Sequence, residues 1–177
     1  MQGGDTDEVR YISDVWGGTV ADDLRGDVED NALRGGGGAD SLYGREGDDT
    51  LWGQTGRDFL DGGAGSDTAV YSDNTTPVRV DLASDTATFV GQSGPAETLL
   101  SIENVIGGSG ADTLLGDAGG NVLQGGAGAD RLDGRGGSDT VSFVGEAPGV
   151  LIDLAAQRAG SIDTSVSLTA LPIDPAR

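Results

Sequence analysis

The sequence contains no cysteine and no histidine among its 177 residues. Without cysteine it has no disulfide bonds and no thiolate metal sites, and zinc and the softer metals prefer the two ligands it lacks. Without histidine it has neither the HExxH motif of zinc proteases nor a catalytic triad with an imidazole base. The hydrolase motif G-x-S-x-G is also absent. We therefore predict that the chain is not an enzyme.

Positive charge is also scarce, because 10 basic residues, all arginine, stand against 30 acidic ones, for a net charge of −20. This balance argues against nucleic acid or an anionic membrane surface as a partner and favours cations. No apolar run approaches the length of a membrane span. The first ten residues lack the basic and apolar regions of a cleavable signal peptide, so we expect no such signal there.

The chain is rich in glycine, with 33 residues, and much of it belongs to a nine-residue repeat. Residues 35–70 are four consecutive units with glycine at positions one and four, aspartate at position six and an apolar residue at position eight. Two degraded units precede them at 17–34, and four more units occupy 107–142. A fixed period of this kind indicates repeat architecture. In the first run, position eight is held by Leu24, Leu33, Leu42, Leu51, Leu60 and Ala69.

The segment between the two runs departs from the nonapeptide, yet Val78 to Leu82 alternate apolar and polar residues as a half-buried strand does. A shift of 72 residues aligns the two runs and also places Tyr71 on Phe143 and Val80 on Ile152. We therefore expect this segment to be a structured part of a larger repeat and not a linker. The expected organisation is a polar lead-in (1–16), a first repeat run (17–70), an intervening β segment (71–106), a second run (107–142), and a partial copy of the intervening segment with a degenerate tail (143–177).

Each nonapeptide combines a turn with a short strand. Glycine in the turn allows positive φ and close backbone approach, while positions seven to nine direct one apolar side chain inward. Two units then complete one revolution, so each unit stacks on the next but one at about 4.8 Å. This predicts an all-β fold, a parallel β-roll or β-helix solenoid whose two runs are joined by a strand-containing segment. The alternative, a flexible or disordered glycine-rich chain, gives no reason for an apolar residue in every unit.

Stacking of this kind brings aspartates of the same position together, in the pairs Asp40–Asp58, Asp49–Asp67 and Asp112–Asp130. Two carboxylates at about 4.8 Å repel by about 1 kcal/mol in water, and more strongly at a lower effective dielectric. Such a column opposes folding unless a cation neutralises it. Ca²⁺ suits the site because it accepts about six to eight oxygen ligands in flexible geometry, whereas Mg²⁺ demands a strict octahedron.

The units resemble G-G-x-G-x-D-x-U-x, the haemolysin-type calcium-binding repeat of the RTX (repeats-in-toxin) family. The resemblance covers residues 11–160 and implies a parallel β-roll that binds several calcium ions in its turns, up to about six if each unit pairs with the next but one. Members of the family are typically secreted by Gram-negative bacteria through a one-step, type I route with an uncleaved C-terminal signal. The resemblance therefore implies a secreted, extracellular protein that folds when it binds calcium.

The resemblance also assigns candidate ligands. The side chains implied are those at position six: Asp22, Asp40, Asp49, Asp58, Asp67, Asp112, Asn121, Asp130 and Asp139. The backbone carbonyls implied are those of the turn glycines Gly35, Gly36, Gly38, Gly44, Gly47, Gly53, Gly56, Gly62, Gly63, Gly65, Gly107, Gly108, Gly110, Gly116, Gly119, Gly125, Gly126 and Gly128. We expect the three aspartate pairs above to be the best occupied sites, and those that use Asn121 or units 17–34 to be weaker. The second glycine is replaced by Arg45, Gln54, Asp117 and Arg135.

The leading hypothesis for function is a calcium-dependent folding and structural module that assists the secretion of a bacterial protein. One alternative is an accessory module that binds an extracellular polysaccharide or cell-surface polymer, as in alginate epimerase-type proteins. Tyr43, Trp52 and Phe59, expected on the outer face, would then stack on sugars and not simply cover the sheet. Another alternative is a non-catalytic fragment of an RTX toxin or protease, whose catalytic or effector domain lies elsewhere in a larger chain.

Overall fold

The computed structural model describes residues 12–91 and 95–144, and the backbone of 165–167. These residues form an all-β, parallel solenoid of about seven turns, which confirms the predicted fold class. A single 3-10 turn, Leu82–Ser84, is the helical structure within them. In chain order the strands are β1 (Asp14–Trp16), β2 (Asp23–Arg25), β3 (Ala32–Gly38), β4 (Ser41–Glu46), β5 (Thr50–Gly56), β6 (Phe59–Ala64), β7 (Thr68–Val70), β8 (Val78–Asp81), β9 (Thr86–Phe89), β10 (Glu97–Leu100), β11 (Asn104–Ile106), β12 (Thr113–Leu115), β13 (Val122–Gln124), β14 (Arg131–Asp133), β15 (Thr140–Ser142) and β16 (Ser165–Ser167).

Two sheets enclose the core, and within each repeat run successive strands alternate between them. The first sheet has seven strands, all parallel, in the order β1-β3-β5-β7-β11-β13-β15. The second has nine, in the order β16-β14-β12-β8-β9-β10-β6-β4-β2, with β9 and β16 antiparallel to their neighbours. Leu33 pairs with Leu51 and Leu42 with Leu60. Two nonapeptides therefore make one revolution, as the period predicts.

The core is built around two columns of apolar side chains, one per sheet, most of them at position eight of a unit. In the first sheet the column contains Leu33, Leu51, Ala69, Val105 and Leu123, and each is fully buried (0% exposed). In the second sheet Leu42, Leu60, Leu99, Leu114 and Leu132 are at most 1% exposed. Burying one such leucine contributes about 1.5–3 kcal/mol, so the columns provide the main stabilisation that does not depend on the turns.

The intervening segment contains the strand that its alternation predicts. In β8 the side chains of Val78 and Val80 are buried and that of Arg79 is exposed. β8 and β9 form an antiparallel hairpin, and β10 then pairs parallel with β6. These three strands separate β6 from β12 in the second sheet, while β7 pairs directly with β11 in the first. The two repeat runs are therefore consecutive in the first sheet.

Some expectations concern parts of the chain outside the described residues. These include the lead-in before residue 12 and the continuation of the 72-residue correspondence at Ile152. Within the described residues, no helix is long and apolar enough to cross a membrane.

Candidate metal centres

The turns of the solenoid stack along two edges. The first edge contains turns 17–22, 35–40, 53–58, 107–112 and 125–130, and the second contains turns 26–31, 44–49, 62–67, 116–121 and 134–139. On the first edge, the backbone amide of Asp22 donates to Asp40 Oδ1 and that of Asp40 donates to Asp58 Oδ1, both at 2.9 Å. Each position-six side chain thus accepts a hydrogen bond from the position-six amide one revolution earlier.

The same ladder occurs on the second edge and in the second run. The amide of Asp49 donates to Asp67 Oδ1 and that of Asp112 to Asp130 Oδ1, both at 2.8 Å. Asn121 donates in the same way to Asp139 Oδ1 at 3.0 Å. Every predicted aspartate pair therefore lies in consecutive turns of one edge.

The second carboxylate oxygen of four of these aspartates is buried without a hydrogen-bond partner. The residues are at most 2% exposed, and the atoms are Oδ2 of Asp40, Asp49, Asp58 and Asp67. An unsatisfied buried polar atom costs about 1–3 kcal/mol, and more when it carries charge. A bound cation would remove this cost, so these four residues fit a cation site.

Backbone carbonyl oxygens lie beside these carboxylates. At Gly44, a Cβ atom would meet both Asp49 Oδ2 and the carbonyl oxygen of Gly62, the opening glycine one revolution later. Gly17 and Gly107 have the same surroundings, formed by Asp22 with the Gly35 carbonyl and by Asp112 with the Gly125 carbonyl. Glycine opens each unit because no side chain fits there, and the space it leaves is bordered by the hard oxygen atoms that Ca²⁺ prefers.

Carboxylates alone do not complete such a site. Within the described part of the chain, no group of three or more acidic side chains could hold a metal ion. Because Ca²⁺ takes about six to eight oxygen ligands, an ion in these turns needs backbone carbonyls or water in addition to the carboxylates.

Burial shifts the protonation of these carboxyls. It raises the pKa of Asp49, Asp58, Asp112 and Asp130 above the ordinary value. At Asp67 burial raises the pKa to about 6. The charges of Asp49, Glu103 and Asp48 also act to raise this pKa, whereas the hydrogen bond from the Asp49 amide acts to lower it. In the absence of a cation these carboxyls therefore resist ionisation, and a cation would compete with protons for them.

The turns are of two kinds. In turns 17–22, 26–31, 107–112 and 116–121, the amide of position two donates to the position-six side chain of the same turn, at 2.6–2.9 Å. We call these the amide-bonded turns. In turns 35–40, 44–49, 53–58, 62–67, 125–130 and 134–139, positions two and four instead have positive φ. We call these the left-handed turns, and all four unpartnered Oδ2 atoms lie in them.

The predicted ligands are therefore distributed over two kinds of turn. Arg45, Gln54 and Arg135 have φ of 88°, 69° and 64°, so they adopt the backbone conformation of the glycine they replace, at a cost of about 1–2 kcal/mol each. Gly108, Gly110 and Gly119, predicted as carbonyl ligands, lie in amide-bonded turns without positive φ. There the side-chain oxygen of Asp112 or Asn121 already accepts an amide hydrogen bond.

Two carboxylates that the repeat pattern did not single out lie next to the ladders, and one of them, Glu103, extends a ladder. The amide of Asp67 donates to Glu103 Oε2 at 2.9 Å. Glu97 follows Asp58 on the first edge, is 3% exposed and accepts a 3.1 Å hydrogen bond from the Tyr71 hydroxyl. The nonapeptide count could have found Glu103, because counting back from Gly107 places it at position six of a unit at 98–106.

The outer face of the first sheet has an aromatic and basic cluster. The Arg34 guanidinium lies 3.6 Å from the centroid of the Trp52 ring and 5.2 Å from that of Trp16, which is 75% exposed. On the second sheet Tyr43 packs against Phe59, with ring centroids 5.5 Å apart. The aromatic residues beside position eight therefore contact arginine or each other.

Comparison with known proteins gives one family. The family of the RTX calcium-binding nonapeptide repeat (four copies) matches residues 16–51, 34–69 and 106–141. No curated protein matches the chain.

Proposed function

The chain belongs to the family of RTX calcium-binding nonapeptide repeats, and from this membership we propose that it is a calcium-dependent folding module of a secreted bacterial protein. The observation that carries the proposal is the set of four buried carboxylate oxygens without a partner in stacked turns. Without a cation their repulsion and desolvation oppose folding. In the bacterial cytosol, where calcium is scarce, the chain stays unfolded and suited to export, and it folds outside the cell.

The proposed ions lie between consecutive turns of one edge. Each would bind the position-six carboxylates of both turns and carbonyls of the turn glycines. The left-handed turns supply the strongest sites, with the pairs Asp40–Asp58 and Asp49–Asp67. Sites that include Asn121 or the units 17–34 are weaker, because their side-chain oxygens already accept an amide.

A calcium titration followed by circular dichroism tests the proposal. We expect a coil-like spectrum in chelator and a β spectrum at about 10⁻⁴–10⁻³ M calcium, the range of extracellular modules, because binding to the folded state alone drives folding. Magnesium at the same concentration is the control and should leave the coil-like spectrum. A complete β spectrum in chelator would show that folding does not need the ion.

A second candidate function is binding of an extracellular polysaccharide, and the exposed Trp16 beside Arg34 is the observation that favours it. The arginine would pair with carboxylates of a uronate polymer while the indole ring stacks on the sugar. Tryptophan fluorescence in saturating calcium tests this. Alginate should change the emission of the wild-type chain but not of Trp16→Ala, and dextran should change neither. No change with alginate would reject this function.

Both functions place the chain as a non-catalytic part of its parent protein. Any catalytic or effector domain would then belong to a larger chain, as in a toxin or protease of the family. The sequence that flanks this chain in its gene would show whether the parent protein contains such a domain.

A further inference from the structure

The two repeat runs meet on the second edge at a shortened turn. Because β7 pairs directly with β11, only residues 101–103 lie between turn 62–67 and turn 116–121 on that edge. The family match ends at residue 69 and resumes at 106, so this short turn lies outside it.

Glu103 takes the ladder position of an aspartate in this turn. Its Oε2 accepts the Asp67 amide at 2.9 Å, just as Asp67 Oδ1 accepts the Asp49 amide at 2.8 Å. On its other side, the Glu103 carbonyl accepts a 3.0 Å hydrogen bond from Asn121 Nδ2. Hydrogen bonds through Glu103 therefore connect Asp67 of the first run to Asn121 of the second.

Ser101 provides the carbonyl that an opening glycine provides elsewhere. A Cβ atom on Gly62 would meet the Ser101 carbonyl oxygen and the carboxyl carbon of Asp67. At Gly44 the corresponding atoms are the Gly62 carbonyl oxygen and the Asp49 carboxylate. The three-residue turn thus places a carbonyl oxygen beside Asp67 where a full nonapeptide turn places that of its opening glycine.

An independent observation points to a ligand at this position. Asp67 is 0% exposed, and its Oδ2, in the carboxyl group beside the Ser101 carbonyl, has no hydrogen-bond partner. Among the described residues the ion pairs involve Asp23, Asp81 and Asp133, and none compensates Asp67 or Glu103.

We infer that Asp67, Glu103 and the Ser101 carbonyl form a calcium site that joins the two repeat runs, with Glu103 as a ligand outside the nonapeptide motif. The inference rests on the proposed calcium-dependent folding. The ion at this site connects turn 62–67 to the short turn, so its loss weakens the junction between the runs and leaves turns 35–40 and 53–58 unaffected.

Native mass spectrometry in a calcium series tests the site by counting bound ions. Glu103→Gln keeps an oxygen that can accept the Asp67 amide but removes the charge, and we expect it to bind one ion fewer than the wild-type chain. Glu46→Gln, an exposed glutamate of the same edge, is the matched control and should bind the wild-type number. An unchanged count in Glu103→Gln would overturn the inference alone, whereas a wild-type chain that binds no calcium would overturn the proposed function as well.

Hydrogen exchange gives a second measurement that does not depend on the count. In saturating calcium, Glu103→Gln should exchange faster in peptides covering 62–70 and 98–106 while peptides covering 35–43 remain at the wild-type rate. Wild-type protection at the junction would contradict a bound ion there. Equal β content by circular dichroism establishes that the variant is folded in both measurements.

Discussion

The amide-bonded and left-handed turns solve the same electrostatic problem in different ways. In the amide-bonded turn 17–22 the Gly18 amide donates to Asp22 Oδ2 at 2.6 Å, so the backbone compensates the side chain. In the left-handed turn 35–40 Gly36 has φ of 98°, and Asp40 Oδ2 has no partner. A hydrogen bond to a charged group contributes about 1.5–3 kcal/mol, which the left-handed turn forgoes. The need for a cation is therefore concentrated in the left-handed turns.

The position-six residues follow this division. Asparagine occurs at this position twice, as Asn31 and Asn121, and both lie in amide-bonded turns. An asparagine oxygen also accepts an amide hydrogen bond, but it has no charge to offer a cation. All six left-handed turns have aspartate. From this difference we infer that the position-six side chain needs a charge only in turns where the position-two amide does not donate a hydrogen bond to it.

The largest effect that would test this comparison is expected from alanine at position two. In Gly36→Ala the new Cβ would meet the Gly18 carbonyl oxygen in a left-handed backbone, so we expect a loss of about 2–4 kcal/mol in the free energy of unfolding. In the matched variant Gly18→Ala the nearest atom is 3.8 Å away and φ is not positive, so little change is expected. Urea unfolding in saturating calcium measures both. Equal losses would mean that the two kinds of turn do not differ.

A smaller effect is expected from removing one charge in each kind of turn. Asp40→Asn should raise the calcium midpoint of folding about tenfold, the equivalent of about 1.4 kcal/mol, because a charged ligand is lost. Asp22→Asn should raise it less than about twofold, because its oxygen can still accept the Gly18 amide. Calcium titrations followed by circular dichroism give both midpoints. The comparison breaks if Asp22→Asn has the larger effect.

A third test is a dependence on pH at Glu97, which follows Asp58 on the first edge. Burial, with the charge of Asp58, raises the pKa of Glu97 to about 8, so the folded state holds a proton that the unfolded state releases near its ordinary value of 4.5. The free energy of unfolding should therefore fall as pH rises from about 5 through 8. Glu97→Gln should flatten this slope, and the exposed-site control Glu46→Gln should keep it. Urea unfolding in saturating calcium at several pH values measures the slopes, and a flat wild-type profile would contradict the assignment.

Much of the fold could be predicted because the repeat is strict. A leucine such as Leu42 at position eight is buried because the period places it on the inner side of the solenoid, although Leu24, at the end of its sheet, is only partly buried. The pairing of Asp40 with Asp58 follows from the same count. The β8–β9 hairpin could not be predicted in full, because the alternation of Val78 and Val80 indicates a strand without indicating its partner. Glu103 was missed because its unit, 98–106, has Thr98 and Ser101 where the motif has glycine.

The sequence by itself determined the period, the two apolar columns and the aspartates that stack. Tertiary structure decided which turns leave a carboxylate oxygen free. The turns GGSGAD at 107–112 and GGAGAD at 125–130 differ only at position three, yet the first is amide-bonded and the second left-handed. The physical reason lies in what each turn stacks on. Gly108 lies against the carbonyl oxygens of Tyr71 and Asn74, which belong to a segment outside the nonapeptide repeat. Gly126 instead lies against the Gly108 carbonyl oxygen of the preceding nonapeptide turn.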